Sequence, residues 1–300
     1  MFKDSESVNK VKQLLLSDNI AFIKQGCELA ETMYTDEESF RSLLEHIGPI
    51  ENNCYLKIWS MISLSKYDPT IIEDTTSLLL DWKMNCAEVP SSIAQLTNLQ
   101  ELIIDMSQLT ALPAEIGSLI NLTVLHINSD ADVPQLTKLP DTLGKLKNLW
   151  TLKWTCSEQG TLGDWIGELP NLRYLDLQNN GFTSLPKTLG NLTNLYDLNL
   201  ASNCPLTKLP DLSGLTKLDS LDLSFNDSIK VPDSFGSLKN LRSLNLEGTY
   251  IMDLPESFYT LTNLEVLYAS EDDLSVETRN RIKEALPDCS IETKWTDMFN

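Results

Sequence analysis

The chain has 300 residues, of which 42% are hydrophobic and 22% are charged, and its formal net charge is −20 at pH 7. This composition provides enough apolar material for a sizeable core, and no apolar run approaches the roughly 20 residues that a membrane-spanning helix needs. Residues 77–274 carry 25 acidic and 12 basic residues with no basic stripe, which argues against nucleic acid and anionic membranes as partners.

Residues 1–76 show a helical pattern. Apolar residues recur three or four positions apart, as in Val11, Leu14 and Leu15, which is typical of amphipathic helices. The stretch TDEESF predicts a helix start with Thr35 as N-cap and Glu38 completing a capping box. We therefore predict about four helices in a helical domain or cap that spans residues 1–76.

From residue 99 onward the sequence repeats itself. The pattern L-x-x-L-x-L recurs at steps of 23 residues, with one step of 27. A degraded copy precedes these repeats and places Leu80, Trp82, Asn85 and Val89-Pro90 in the matching positions. Residues 77–274 then hold about nine repeats. The complete copies begin at Leu99, Leu122, Leu149, Leu172, Leu195, Leu218, Leu241 and Leu264.

The stretch NLRYLDLQNNGFTSLP, residues 171–186, shows the whole unit, L-x-x-L-x-L-x-x-N-x-L followed by Leu-Pro. This pattern resembles the leucine-rich repeat family. Its Leu-Pro variety is similar to the intracellular repeats of Ras-group-related and Scribble-type scaffolds and of bacterial relatives. The resemblance implies an α/β solenoid, with a parallel β-sheet on the concave face and short helical or 3₁₀ convex limbs. It also implies a protein-binding module or scaffold without catalytic activity.

The repeat unit also has a physical interpretation. Leu175 and Leu177 alternate as in a short strand and point inward, while Tyr174 and Asp176 point to the other face. Stacked copies pair their backbones into a parallel sheet and bury the leucines as one continuous core. An asparagine at the turn after the strand is predicted to bond backbone groups that the turn leaves unpaired. These asparagines are Asn180, Asn203 and Asn226.

The repeat register predicts which side chains share the concave face. Asp176, Asp197 and Asp222 fall on adjacent strands, roughly 5 Å apart, and their mutual repulsion favours a protein partner with a basic surface. A merely solvated acidic face is the alternative. The column between the inward positions runs through Asp81, Ile103, His126, Lys153, Asp176, Asn199, Asp222, Asn245 and Tyr268. The predicted partner-binding residues in this region are Tyr174, Asp176, Asp197, Asn199, Asp222, His126 and Lys153.

The 27-residue repeat predicts an enlarged loop at the edge of the concave face, because its four extra residues fall between Ile127 and Leu139. Asp130 and Asp132 make this loop acidic, and we include both among the predicted partner-binding residues. Together with His126, Lys153 and a nearby tryptophan, they resemble the mixed aromatic and polar make-up of a recognition site. A tolerated surface insertion is the alternative, since loops lengthen at small entropic cost.

The next repeat also departs from the pattern. It reads Leu162-Gly163 where Leu-Pro is expected, and it concentrates three tryptophans. Trp154 occupies an inward position and is predicted to lie in the core, whereas the pattern leaves the positions of Trp150 and Trp165 open.

Residues 275–300 are predicted to cap the repeats. The stretch SVETRNRIKEALPDCSIE predicts one helix that ends near Pro287, followed by a short extended piece around Ile291. Such a segment covers the open end of the leucine core, which a solenoid needs for solubility.

The sequence predicts no catalytic, cofactor or metal site. Its two histidines, His46 and His126, have no companion motif, and each is more often a surface residue than a catalyst. There is no glycine-rich phosphate loop, no H-E-x-x-H and no C-x-x-C. We therefore expect a protein that is not an enzyme and binds no cofactor.

The six cysteines are spread singly, without paired spacing, which favours reduced thiols. The N-terminal segment lacks the apolar stretch and cleavage site of a signal peptide. We therefore expect a cytoplasmic protein, and a monomer. Two other functions stay open: the substrate-recruiting part of a secreted effector or enzyme complex, and an extracellular adhesion or sugar-binding protein.

Overall fold

The computed structural model describes residues 5–17, 20–47, 54–66, 68–80, 88–105, 108–128, 136–155, 157, 159–227 and 229–293. In these residues, ten strands form one parallel sheet in strict chain order from β1 to β10. Helices precede the sheet, and 3₁₀ limbs connect most of its strands. The predicted α/β leucine-rich repeat solenoid with a helical N-terminal part is therefore confirmed.

The helical part contains α1 (Ser5–Leu15), α2 (Ile20–Met33), α3 (Glu37–Ile47), α4 (Cys54–Ser65) and the single turn α5 (Thr70–Glu73). α4 joins two cores because its two sides differ. Trp59 packs edge-on against Phe40 of α3, with the ring centroids 5.2 Å apart. Ile58 and Ile62 instead belong to the core beneath the sheet, so α4 covers the first end of the leucine core.

The predicted N-cap of α3 was wrong by one residue. Asp36, rather than Thr35, caps the helix, because its Oδ1 accepts the backbone N–H of Ser39 at 2.9 Å. Ser39 completes the cap in place of Glu38, donating its hydroxyl back to Asp36 Oδ2 at 2.7 Å. A carboxylate at this position also interacts favourably with the helix dipole.

Each strand is three to five residues long and alternates outward-facing with inward-facing residues. In every repeat the inward leucines are buried, and the residues that alternate with them face outward. The sheet consists of β1 (Ser77–Leu80), β2 (Glu101–Asp105), β3 (Val124–Asn128), β4 (Thr151–Thr155), β5 (Tyr174–Asp176), β6 (Asp197–Asn199), β7 (Ser220–Asp222), β8 (Ser243–Asn245), β9 (Val266–Tyr268) and β10 (Ser290–Glu292).

The convex limbs are 3₁₀ segments, as the Leu-Pro motif predicts. Proline in extended conformation precedes most of them, as at Pro113 with φ −70° and ψ 145°, since proline fixes φ and cannot continue a sheet strand. Neighbouring limbs approach closely: a Cβ on Gly167 would lie 2.4 Å from the carbonyl oxygen of Thr188. The segments are Ser91–Gln95, Ala114–Ser118, Asp141–Lys145, Asp164–Glu168, Lys187–Asn191, Asp233–Ser237 and Glu256–Thr260.

The predicted register of the first, degraded repeat was wrong by two residues. Leu79, not Asp81, pairs with Ile103, and Leu78 and Leu80 take the inward positions opposite Leu102 and Ile104. A shift of two residues keeps every side chain on the same face of a strand, so the alternation of leucines could not distinguish the two registers. Asp81 lies outside the described residues.

The far end of the core is covered by α6 (Val276–Ala285), whose N-cap Ser275 accepts the backbone N–H of Thr278. Ile282 and Leu286 are buried against the last repeat. β10 then pairs in parallel with β9, so it adds a final strand to the sheet.

Candidate functional site

The outer face of the sheet carries most of the predicted partner-binding residues. Tyr174 and Asp176 lie on β5, Asp197 and Asn199 on β6, and Asp222 on β7. The register places Tyr174 beside Asp197, and Asn199 between Asp176 and Asp222. In β1 to β9, the two outward columns carry four carboxylates and one lysine, namely Glu101, Asp176, Asp197, Asp222 and Lys153.

Besides Glu101, which accepts a hydrogen bond from the Ser77 hydroxyl at 2.8 Å, Asp176 and Asp222 have partners within the protein. Lys153 Nζ lies 3.7 Å from Asp176 Oδ2, and both side chains are half-buried. Asp222 accepts hydrogen bonds from the Ser224 hydroxyl at 2.6 Å and from Asn245 Nδ2 at 2.9 Å. These contacts hold both carboxylates against the sheet.

Asp197 is placed differently. Its side chain accepts a hydrogen bond from Ser220, and no lysine or arginine of the described residues lies within 4 Å of it. Burial raises the pKa of Asp197, the Ser220 hydrogen bond offsets part of this rise, and the carboxylates of Asp176 and Asp222 raise the pKa further. The middle of the face therefore holds a carboxylate that lacks a counter-charge.

Exposed aromatic side chains border the carboxylates at the edge where the strands begin, which we call the strand-start edge. Trp150, Tyr174 and Tyr196 are 47%, 45% and 43% exposed. The rings of Tyr174 and Tyr196 meet edge to face, with centroids 6.2 Å apart and an interplanar angle of 61°. The guanidinium of Arg173 covers Trp150 instead, 4.3 Å from the ring centroid.

Sequence reasoning missed Tyr196 and Arg173. The signal was the column one position after each repeat origin, which reads Trp150, Arg173, Tyr196, Asp219, Arg242 and Glu265 in consecutive repeats. In this column Arg242 lies between two carboxylates, 3.7 Å from Asp219 and 3.6 Å from Glu265. Tyr196 also interacts with Asp219, which accepts a hydrogen bond from its hydroxyl.

The second predicted group of site residues, around the enlarged loop, lies partly outside the described residues. His126 and Lys153 are register partners on β3 and β4, and burial, followed by the charge of Lys153, lowers the pKa of His126. These surroundings therefore favour the neutral form of His126. Asp130 and Asp132, the predicted acidic loop residues, lie outside the described residues.

The tryptophans of this region separate into two groups. Trp154 is fully buried, as predicted, and packs edge-on against Phe182 with centroids 5.7 Å apart. Trp165 is also buried, with its ring over Gly163: a Cβ at position 163 would lie 2.6 Å from Trp165 Cδ1. The missing proline at position 163 therefore makes room for a core tryptophan, and Trp150 alone of the three is exposed.

A groove of about 870 Å³ runs along the strand-start edge, and Trp150 is one of the residues that line it. Asparagine amides line it. Asn121, Asn148 and Asn171 each donate Nδ2 to a backbone carbonyl of the preceding repeat, as Asn148 does to Ile120 at 3.0 Å, and Asn98 donates to Glu73 of α5 at 3.0 Å. The first three amides join consecutive repeats. The groove is lined by Glu73, Thr76, Asn98, Gln100, Asn121, Thr123, Asn148, Trp150 and Asn171.

Two absences hold for the described part of the chain. It contains no group of three or more histidine, cysteine, aspartate or glutamate side chains placed to hold a metal ion. None of the helices described above is both long enough and apolar enough to cross a membrane.

Comparison with known proteins agrees with the fold. The family described as "Leucine Rich repeats (2 copies)" matches residues 170–214. Among solved structures, internalin C2 of Listeria monocytogenes is 22% identical over 67% of this chain and 83% of its own, with a TM-score of 0.52. A leucine-rich repeat protein of Leptospira interrogans is 23% identical over 69% of this chain and 75% of its own, with a TM-score of 0.28. No curated protein matches the sequence. The chain has the fold of a leucine-rich repeat solenoid and contains matching repeats, and leucine-rich repeat proteins generally act as protein-interaction modules.

Proposed function

We propose that this chain is a non-catalytic protein-binding module or scaffold that holds its partner against the outer face of β3 to β8. The observation that carries the proposal is the half-buried Asp197, which has no lysine or arginine within 4 Å among the described residues. A carboxylate held away from water without a counter-charge is stabilised by a basic partner. The predicted site consists of Tyr174, Asp176, Asp197, Asn199, Asp222, His126, Lys153, Asp130 and Asp132.

The side chains on this face also indicate the class of partner. Tyrosine, tryptophan and arginine are the side chains that most often carry binding energy at protein interfaces, and the strand-start edge presents all three beside the carboxylates. A protein with a basic surface fits this arrangement, whereas nucleic acid and anionic membranes do not. We propose that the module is a monomer and uses no cofactor.

We further propose that the protein works in the cytoplasm and resembles the Ras-group and Scribble type of repeat. The thiols of Cys27, Cys204 and Cys289 form no disulfide, and burial raises the pKa of the Cys289 thiol to about 11. Thiols that form no disulfide suit a reducing compartment.

The test is affinity capture from a native lysate with matched charge reversals. One variant replaces Asp176, Asp197 and Asp222 by lysine on the outer face. Its control carries the same change in net charge on the convex limbs, at Glu115, Asp164 and Asp233, which are exposed. A prey protein held by the wild type and the convex control, but lost with the outer-face variant, supports the proposal. A prey that both variants retain, or that both lose, contradicts it.

A further inference from the structure

We propose that Tyr174, Tyr196 and Asp197 form a binding site for an arginine side chain of the partner protein. This inference rests on the proposed function, because the site lies on the same outer face and names the group that the face receives. The three residues are contiguous: Tyr174 and Asp197 are register partners on β5 and β6, and Tyr196 precedes Asp197 in the chain.

The geometry of the two rings suits a flat cation. Their centroids lie 6.2 Å apart at 61°, so the rings present two inclined faces, and both side chains are nearly half exposed. A guanidinium group stacks on such faces and binds a carboxylate through paired N–H groups. Asp197 supplies that carboxylate beside the rings.

Elsewhere in the protein, a tyrosine ring and a carboxylate together bind an arginine of the same chain. Arg281 lies over the Tyr259 ring, 4.2 Å from its centroid. Its Nη2 also donates to both oxygens of Glu256, at 2.7 and 2.8 Å. Tyrosine and carboxylate together therefore hold an arginine in this fold, and at Tyr174, Tyr196 and Asp197 no described residue supplies one.

The nearby cations are engaged elsewhere. Arg173 covers Trp150, Lys153 pairs with Asp176, and Arg242 lies between Asp219 and Glu265. The hydroxyl of Tyr196 interacts with Asp219 of the next repeat. An arriving arginine thus meets the carboxylate of Asp197 without displacing a cation of the protein.

The experiment uses the full chain and three labelled peptides. The first alternates arginine with serine, the second has citrulline in place of arginine, and the third has lysine. Citrulline keeps the shape of arginine without its charge, and lysine keeps the charge without the planar group, which controls for the net charge of −20. Fluorescence anisotropy measures the affinity of each peptide, and circular dichroism checks that every variant is folded.

We expect the arginine peptide to bind about tenfold more tightly than either of the others. Replacing Tyr174 and Tyr196 by leucine, or Asp197→Asn alone, should each weaken arginine binding about tenfold and remove the discrimination. Tyr196→Phe keeps the ring and should keep most of the affinity. Phe22→Leu is the matched control: it removes a ring that is 51% exposed on α2, outside the sheet, and it should leave binding unchanged.

Several results would overturn the arginine site. These are failure of the wild type to bind the arginine peptide, equal affinity for all three peptides, unchanged binding in both Asp197→Asn and the double leucine variant, or loss of binding in Phe22→Leu. If the outer-face lysine variant loses its captured prey while the double leucine variant keeps both prey and peptide, the proposed function stands and the arginine site fails. If the protein prefers the arginine peptide as expected but the outer-face lysine variant still captures the prey, the arginine site stands and the proposed function fails.

Discussion

The backbone N–H of Asn180 donates to Oδ1 of Asn203, 3.1 Å away in the next repeat. The contact is repeated one step along, where the N–H of Asn203 donates to Oδ1 of Asn226 at 3.0 Å. Each amide also donates backward, as Asn203 Nδ2 does to the carbonyls of Leu177 and Leu200. The residue before each of these three asparagines has a positive φ, which is costly for bulky side chains: Asn179 58°, Ser202 57° and Phe225 55°. The buried asparagines therefore hold these turns in place.

Replacing Asn203 by alanine should lower the free energy of unfolding by about 3 to 5 kcal/mol. The substitution leaves the backbone N–H groups of Asn180 and Phe182 without their acceptor, and both lie in the buried interior. Asn171→Ala is the control, because this exposed asparagine donates once, to Lys147, and should cost about 1 kcal/mol. Urea unfolding followed by circular dichroism measures both. Equal losses of unfolding free energy in the two variants would contradict the structural role of the hydrogen-bonded series Asn180, Asn203 and Asn226.

The sequence predicted most of the sheet because the repeat gives the same information many times. Asn203 was predictable as a buried turn residue, since its position recurs at a fixed offset from Leu195. The register of Leu79 was not, because a single degraded copy offers no second example to choose between shifts of two residues. The role of Tyr196 also escaped prediction, since it depends on a ring contact with Tyr174 that one column of the repeat does not reveal.

Leu198→Ala should lower the free energy of unfolding by about 2 to 5 kcal/mol. Leu198 is fully buried in the middle of the leucine core, so the substitution leaves a cavity between two neighbouring repeats. Leu79→Ala is a matched control on the same sheet, because Leu79 is 48% exposed. We expect a change of about 0.5 kcal/mol or less for this control. A loss of only a few tenths for Leu198→Ala, measured by chemical denaturation, would be incompatible with the observed packing.

Gly163→Pro restores the repeat pattern but should destabilise the protein, by about 1 to 3 kcal/mol. The backbone of Gly163, with φ −81° and ψ 163°, accepts proline, so the penalty comes from Trp165, whose ring fills the space of a Cβ. In a Trp165→Leu background the penalty should fall, because the ring is gone. A double-mutant cycle in urea measures this coupling. Additive effects of the two substitutions would show that Trp165 is not the reason for the glycine.

Asp197 and Asp273 should have opposite effects on the pH dependence of stability. The folded-state pKa of Asp197 is raised by burial and by neighbouring carboxylates. Burial alone would also raise the pKa of Asp273, but hydrogen bonds from Ser270 outweigh it, and the net pKa lies below the ordinary aspartate value. Asp273 is fully buried and also accepts the backbone N–H of Thr249 at 3.0 Å. The ionised carboxylate of Asp197 therefore opposes folding, and the ionised carboxylate of Asp273 favours it.

The sign follows from proton linkage. For Asp197, the folded state binds the proton more tightly, so its contribution to stability falls as pH rises from about 3.9, the ordinary aspartate pKa, through the raised folded value. Asp197→Asn removes this cost and should make the protein more stable at pH 7, with the gain disappearing toward pH 3. For Asp273, stability is present above the unfolded pKa and is lost as pH falls through the lowered folded value, so Asp273→Asn should destabilise at pH 7 and progressively less in acid. Urea unfolding of both variants across this pH range measures the two slopes, and a gain for Asp197→Asn that persists unchanged at low pH would show that charge is not its cause.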